Sequence, residues 1–222
     1  MTKAIDAIIV PQGAEFQAVS KGLNNVANKP EIIKVPIGTN NINQNLQQWQ
    51  PDRFKKVLML GLCGSLDRSL NVGEAVVYRS CQKLNSNSVA LSSPLLNQII
   101  KQKISIRSVA GLASDRVITS VTEKYSLAAQ YQAEAIDMES FGYLKFFSTG
   151  TEVSVVRVVS DDLAFDLPNL DSTISSEGNI KPLPMAITML KRPANSLRFI
   201  KNSLNALKSL EKIAREIFTD SY

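Results

Sequence analysis

The sequence predicts a layered α/β fold, and three observations predict it. Short β-branched runs alternate with helical spacings along the whole chain. The run Val153 to Val159 is apolar and β-branched nearly throughout, which fits a central strand covered on both faces. Acidic clusters stand where strands end, the place where ligands collect in an open α/β sheet.

Ala4 to Val10 reads as a buried strand, broken by Pro11-Gln12-Gly13. Glu15, Phe16, Val19, Leu23 and Val26 follow at helical spacing. Ile32 to Ile37 returns to strand, and Leu46 with Trp49 marks a short helix. Val57 to Leu60 is a strand running into Gly61-Leu62-Cys63-Gly64-Ser65, and Gly73 to Tyr78 is another. Leu95 to Ile100 is helical and Ile104 to Ala110 a strand. A helical pattern around Tyr125 to Tyr131 leads to a brief strand at Ala133 to Ile136, then a helix from Met138 to Phe147. After the strand Val153 to Val159, the stretch 163–184 carries Pro168, Pro182 and Pro184 among polar residues, a long lid-like loop. The stretch 185–218 is helical again, with Leu197, Ile200, Leu204, Leu207, Leu210 and Ile217 on one apolar stripe.

At 222 residues and 44% hydrophobic, the chain suits one packed domain over 1–222. No stretch is apolar enough to span a bilayer, and the N-terminus lacks a signal peptide's apolar segment. Cys63 and Cys81 make no disulfide framework, so a reducing cytoplasm is the expected setting. With no histidine and no close cysteine pair, no transition-metal site and no cofactor is expected. The net charge of +5 comes from Lys191, Arg192, Arg198, Lys201, Lys208, Lys212 and Arg215 near the C-terminus. Only Phe199 and Phe218 accompany them, too few aromatic platforms for nucleic-acid binding. The C-terminal helix reads first as packed on the core with a solvated basic face, and second as a basic surface close to a membrane.

Without histidine, chemistry falls to carboxylates, with nothing basic beside the two acidic clusters except water. Glycosidic cleavage suits such groups: carboxylates stabilise an oxocarbenium-like transition state, protonate the leaving group and activate water. Asp161, in Ser160-Asp161-Asp162 at a strand's carboxyl end, is the candidate acid, partly buried so that it holds a proton. Asp162 competes with it, and a plain turn-capping role competes with both. In Asp137-Met138-Glu139, Glu139 is placed to accept from vicinal sugar hydroxyls and Met138 offers a soft apolar face. The alternative there is acids at a helix start, favoured by the dipole. Gly61 and Gly64 let the backbone turn sharply and approach a ligand closely, with amides receptive to an anion. Glu15 opens the first helix after a glycine turn and is placed as a base for water, although taken alone it reads first as a plain helix-start acid.

Order and spacing together carry more than any one motif. Leu60-Gly61-Leu62-Cys63-Gly64-Ser65-Leu66 with Leu70-Asn71-Val72-Gly73-Glu74-Ala75-Val76-Val77, then Ala135-Ile136-Asp137-Met138-Glu139-Ser140, then Val156-Arg157-Val158-Val159-Ser160-Asp161-Asp162, resemble the motifs of the nucleoside phosphorylase/nucleosidase superfamily. The resemblance runs from about Lys3 to Asp162. It implies a three-layer α/β sandwich with a central mixed, twisted β-sheet and C-terminal helices, in a homo-oligomer. It implies a purine, adenosine-type nucleoside as substrate, with Asp161 and Glu15 catalytic and Met138, Glu139, Cys63, Gly64, Val117 and Ile118 binding. The loop and helix beyond Asp161 are similar to one branch, the hopanoid-associated phosphorylase-like proteins, which implies an adenosyl lipid such as adenosylhopane.

Two departures bear on the reaction. The family's phosphate-binding Arg and Ser correspond to Met59 and Leu62 here, and Pro11 to Phe16 holds no basic residue. A phosphate dianion without cations is poorly held, so hydrolysis is favoured over phosphorolysis, with phosphate a co-substrate only in the second case. The base-stacking aromatic corresponds to Val117. A catalytically silent nucleoside-binding protein is the remaining reading.

Overall fold

A computed structural model of the chain describes residues 5–38, 53–147, 150–168 and 193–219. In chain order these form β1 (Ala7–Pro11), α1 (Ala14–Gly22), β2 (Glu31–Val35), β3 (Lys56–Ser65), β4 (Ala75–Lys83), β5 (Val89–Leu91), α2 (Pro94–Lys103), β6 (Arg107–Ala113), α3 (Val121–Tyr131), β7 (Ala135–Asp137), α4 (Ser140–Phe146), β8 (Glu152–Asp161) and α5 (Pro193–Phe218).

The strands form one eight-stranded mixed sheet in the order β2-β1-β3-β7-β6-β4-β5, with β8 paired to both β3 and β4. The β3–β8 ladder is parallel, whereas β4 runs antiparallel to β8. β8 is therefore the central strand its composition predicts. The period of two along a strand assigns its faces. Val153, Val155 and Val159 pack with Tyr143, Leu144 and Phe147 of and just after α4. Val156 and Val158 pack on the opposite face with Val19 of α1, Leu96 and Ile100 of α2, and Leu210 of α5. Helices thus cover both faces, giving the expected three layers.

Local chemistry fixes the elements. α2 begins with Ser93, whose Oγ accepts from Leu96 N, followed by Pro94 at the position where a missing N–H costs nothing. α3 begins with Ser120, whose Oγ accepts from Glu123 N. α1 has no side-chain cap; Gly13, at φ +90°, makes the turn out of β1 that a side chain would strain.

Several expectations shift. The segment from Gly61 to Ser65 is not a turn: β3 continues through it, with an irregularity in register between Cys63 and Gly64. α1 stops at Gly22 rather than Val26. β5 was not expected; three residues are too short to show a period. The apolar stripe on α5 divides: Leu210 and Ile217 are buried with Ala206 and Ala214, but Leu197, Ile200 and Leu204 are exposed. Spacing places side chains on one face without saying how far the core extends beneath it, and here only the later turns lie on α1 and the sheet. The predicted helix at Leu46 and Trp49, and most of the lid-like stretch 163–184, fall outside the described residues. Among the described residues, no helix is long and apolar enough to cross a membrane.

Candidate active site

The strand ends converge on one cavity of about 370 Å³. Glu15 reaches it from α1, Glu139 from the β7–α4 junction and Asp161 from the end of β8. Met138, Cys63, Gly64, Val117 and Ile118 line the same space. Every site residue expected from sequence is therefore brought together. The far wall is mostly apolar and comes from the C-terminal half of the chain: Leu167, then Phe199, Ser203 and Leu207 of α5.

Glu15 Oε1 accepts from Leu62 N at 2.7 Å. This bond has a consequence for the anion-receptive backbone expected around Gly61 to Ser65, because a carboxylate of the chain itself occupies the Leu62 amide. Burial, reinforced by the nearby Glu139 carboxylate, pushes the Glu15 carboxyl up to about 8, while Arg157 and the Leu62 bond oppose the rise. Glu139 Oε1 accepts from Gly38 N at 2.9 Å, which ties the β7–α4 junction to the end of the β2 segment. Burial raises the Glu139 carboxyl to about 7, with Arg157 pulling it down and Asp137 pushing it up. Burial likewise pushes the Cys63 thiol far up, so it contributes an apolar surface rather than a thiolate.

The expectation that the acids stand without basic partners fails. Arg157, fully buried in the middle of β8, pairs with Asp137, its Nε 2.8 Å from Oδ2, and its Nη2 lies 3.5 Å from Glu139 Oε2. Nη2 also donates to Ser140 Oγ at 3.0 Å. Burial works against the charge on Arg157, but Asp137 and Glu139 outweigh it and hold the guanidinium protonated well beyond its ordinary range. Asp137 also accepts from the amides of Glu139 at 3.2 Å and Ser140 at 3.1 Å, and from Ser140 Oγ. Asp137 and Arg157 thus form a scaffold beneath Glu139, while Glu139 itself faces the cavity.

Asp161 also has a cation. The ammonium of Lys124, on α3, donates to Asp161 Oδ2, and both residues are buried. The expectation of an acid with no basic partner is therefore corrected at Asp161 as well. Asp162 does not compete: its Oδ1 accepts from Ala164 N at 3.0 Å, the turn-capping role. Next to it, Asp166 Oδ1 accepts from Val121 N at 2.8 Å and anchors the first part of the 163–184 stretch to the start of α3.

Sequence reading passed over Lys124 and the role of Arg157. A single arginine within an otherwise apolar strand was a usable signal, since a charge there needs a buried partner. Lys124 had no such signal, because its helix has ordinary surface composition.

No protein-family model matches the sequence, and no curated protein matches it either. Among solved structures, the chain is similar to the 5'-methylthioadenosine/S-adenosylhomocysteine nucleosidase of Campylobacter jejuni, at 12% identity and a TM-score of 0.69, over 96% of this chain and 98% of that one. It is similar to the corresponding nucleosidase of Neisseria meningitidis in complex with methylthio-immucillin-A, at 14% identity and a TM-score of 0.65, over 96% and 99%. It is similar to the futalosine hydrolase of Helicobacter pylori, at 17% identity and a TM-score of 0.62, over 92% and 99%. The likeness spans both chains almost entirely: this protein has the fold that those nucleosidases share.

Proposed function

We propose that the protein hydrolyses the N-glycosidic bond of a purine nucleoside of the adenosine type. The observation that carries this reading is the meeting of Glu15, Glu139 and Asp161 in one cavity, with Glu15 seated on the Leu62 amide. The proteins similar in fold are named as nucleosidases or a futalosine hydrolase, which supports the same reaction class.

In this account the purine lies toward Asp161, Val117 and Ile118, and the sugar over Met138. Glu139 accepts hydrogen bonds from the vicinal ribose hydroxyls. Its burial and its bond from Gly38 hold it in one orientation, so the sugar enters a prearranged acceptor. Asp161 passes a proton to a purine ring nitrogen as the bond from the anomeric carbon to the base breaks and its electron pair goes to the base. Glu15, in its ionised form, takes a proton from water as the water oxygen bonds to the anomeric carbon.

Water is favoured over phosphate on electrostatic grounds. Among the described residues the cations lining the cavity are Arg116 and Lys124, and both stand at the base end, next to Glu123 and Asp161 respectively. The Leu62 amide already serves the Glu15 carboxyl, so a phosphate dianion there finds that donor occupied, and above about pH 8 it also meets a like charge. Phe199, Leu167 and Leu207 form an apolar wall suited to a hydrophobic group at the ribose 5' position, an adenosyl lipid included.

The test is an adenine-release assay on adenosine, methylthioadenosine, adenosylhomocysteine and an adenosyl lipid, with and without phosphate. Phosphate-independent release yielding free ribose or its 5'-substituted form supports the proposal. Release that requires phosphate and yields a sugar 1-phosphate selects phosphorolysis instead. Tight binding with no release from any nucleoside selects a silent binding protein.

A further inference from the structure

The geometry points to Lys124 as the source of the proton that Asp161 delivers to the departing base, an inference that rests on the nucleosidase reading above. Lys124 is only 1% exposed. Burying an ammonium is costly unless a close partner compensates, and a lysine stem is long enough to reach solvent instead. This lysine turns inward to the cavity wall. Its Nζ donates to Asp161 Oδ2 and lies 3.4 Å from Asp162 O.

Its neighbours leave it with that partner. Arg116, on the loop before α3, pairs with Glu123 on α3. Asp162 spends its carboxylate on the Ala164 amide, and Asp166 spends its own on the Val121 amide. Across the cavity, Glu139 and Glu15 are bonded to Gly38 N and Leu62 N. Asp161 Oδ1 lies 3.2 Å from Ser160 Oγ, which orients the carboxyl from its other side.

The pair exists in two forms of equal net charge: carboxylate with ammonium, and carboxylic acid with amine. Shifting one proton from Nζ to the carboxyl leaves the charge of the cavity unchanged, so no ion has to enter or leave a largely apolar space. As the glycosidic bond breaks, its electron pair goes to the purine and a ring nitrogen becomes basic. Asp161 gives that nitrogen a proton and receives one from Lys124. Asp161 ends as the carboxylate it was, Lys124 ends as a neutral amine, and the base leaves neutral. The proton that water yields goes to Glu15. Exchange with solvent then removes it from Glu15 and restores Lys124, so no further reactant is needed. Lys124 acts through Asp161 and does not itself touch the substrate.

The experiment compares two leaving groups in Lys124→Arg, which keeps the charge and the hydrogen bond but holds its proton too tightly to give it up. The purine nucleoside needs a proton on its leaving group; p-nitrophenyl β-D-ribofuranoside releases a stable anion and does not. We expect kcat for purine release to fall about 100-fold, the scale of one acid–base contribution, and kcat for nitrophenolate release to change less than about threefold. In Lys124→Met, Asp161 keeps only its own proton, and the alkaline limb of purine release moves down by more than about one pH unit. Equal losses on both leaving groups, or an unshifted limb in Lys124→Met, overturn the relay and leave the nucleosidase reading standing. A wild-type protein that releases base from no nucleoside overturns both.

Discussion

Gly61 of β3 lies directly across the ladder from Arg157 of β8, and a methyl group at Gly61 would stand 2.0 Å from Arg157 Nη1. Both residues belong to the face that also carries Val155, Val159 and Cys63. The absent side chain at Gly61 is the space in which the guanidinium lies, and from there Arg157 reaches Asp137 and Glu139. A glycine that looks from sequence like a turn residue is a packing residue for a buried cation.

Gly61→Ala follows directly. The methyl group forces Arg157 out of register with Asp137, and overpacking of this kind costs about 1–3 kcal/mol, or roughly 2–12 °C in Tm for a chain of this size. Base release falls at least tenfold, because Glu139 loses the support beneath it. Thermal unfolding and kcat measured together check this; an unchanged Tm with unchanged kcat contradicts it.

Arg157→Met leaves Asp137 as an uncompensated buried carboxylate. Breaking a buried pair from one side costs about 3–5 kcal/mol. The double variant Arg157→Met with Asp137→Asn removes both charges at once and recovers more than half of that loss in denaturant unfolding. Additive losses in the double variant indicate that the two groups do not act as a pair.

Glu15 sets a pH dependence whose sign is fixed by its raised carboxyl, which titrates at about 8 in the folded chain. Below that pH Glu15 holds a proton and cannot accept one from water, so kcat/KM rises with pH to a plateau above about 8. The same shift acts on stability. The folded chain binds this proton more tightly than the unfolded chain, whose carboxyl titrates at the ordinary 4.5, so this contribution to stability is complete below 4.5 and is lost as pH rises through about 8. Glu15→Gln removes both effects: it abolishes turnover, and its stability relative to wild type improves between pH 4.5 and 8. Unfolding titrations at several pH values check the second effect without substrate.

Phe199→Ala and Leu207→Ala test the apolar wall contributed by α5. Each raises KM for a nucleoside with a hydrophobic 5' substituent about fivefold to thirtyfold, the worth of roughly 1–2 kcal/mol of lost apolar contact. For adenosine itself KM changes less than about twofold. Steady-state kinetics on the two substrates decide it; equal effects on both place the wall elsewhere than at the 5' group.

The sheet and the acids were legible in the sequence for a physical reason. The central β8 is β-branched almost without interruption, and a strand buried on both faces needs that composition. Glu15, Glu139 and Asp161 stood out because an acid at a strand end or helix start is cheap to notice, even where its partner is unknown. The cations were not legible. Arg157 finds Asp137 and Glu139 through the register of β8 and the fold of the β7–α4 junction, which no local spacing encodes. Lys124 is buried by the approach of α3 to the end of β8, while its own helix shows only a shallow apolar face, with Leu127 its buried hydrophobic residue. The stripe on α5 was read as one surface because periodicity reports direction and not depth, and Leu197, Ile200 and Leu204 point away from the packed core.

The most direct test of the account is phosphate-free release of purine by the wild-type chain, Asp161→Asn and Glu15→Gln, measured side by side on the best substrate of the adenosine series. The account predicts turnover by wild type and a loss of at least about 100-fold in each variant, with nucleoside binding retained. Full purine release by Asp161→Asn would contradict it.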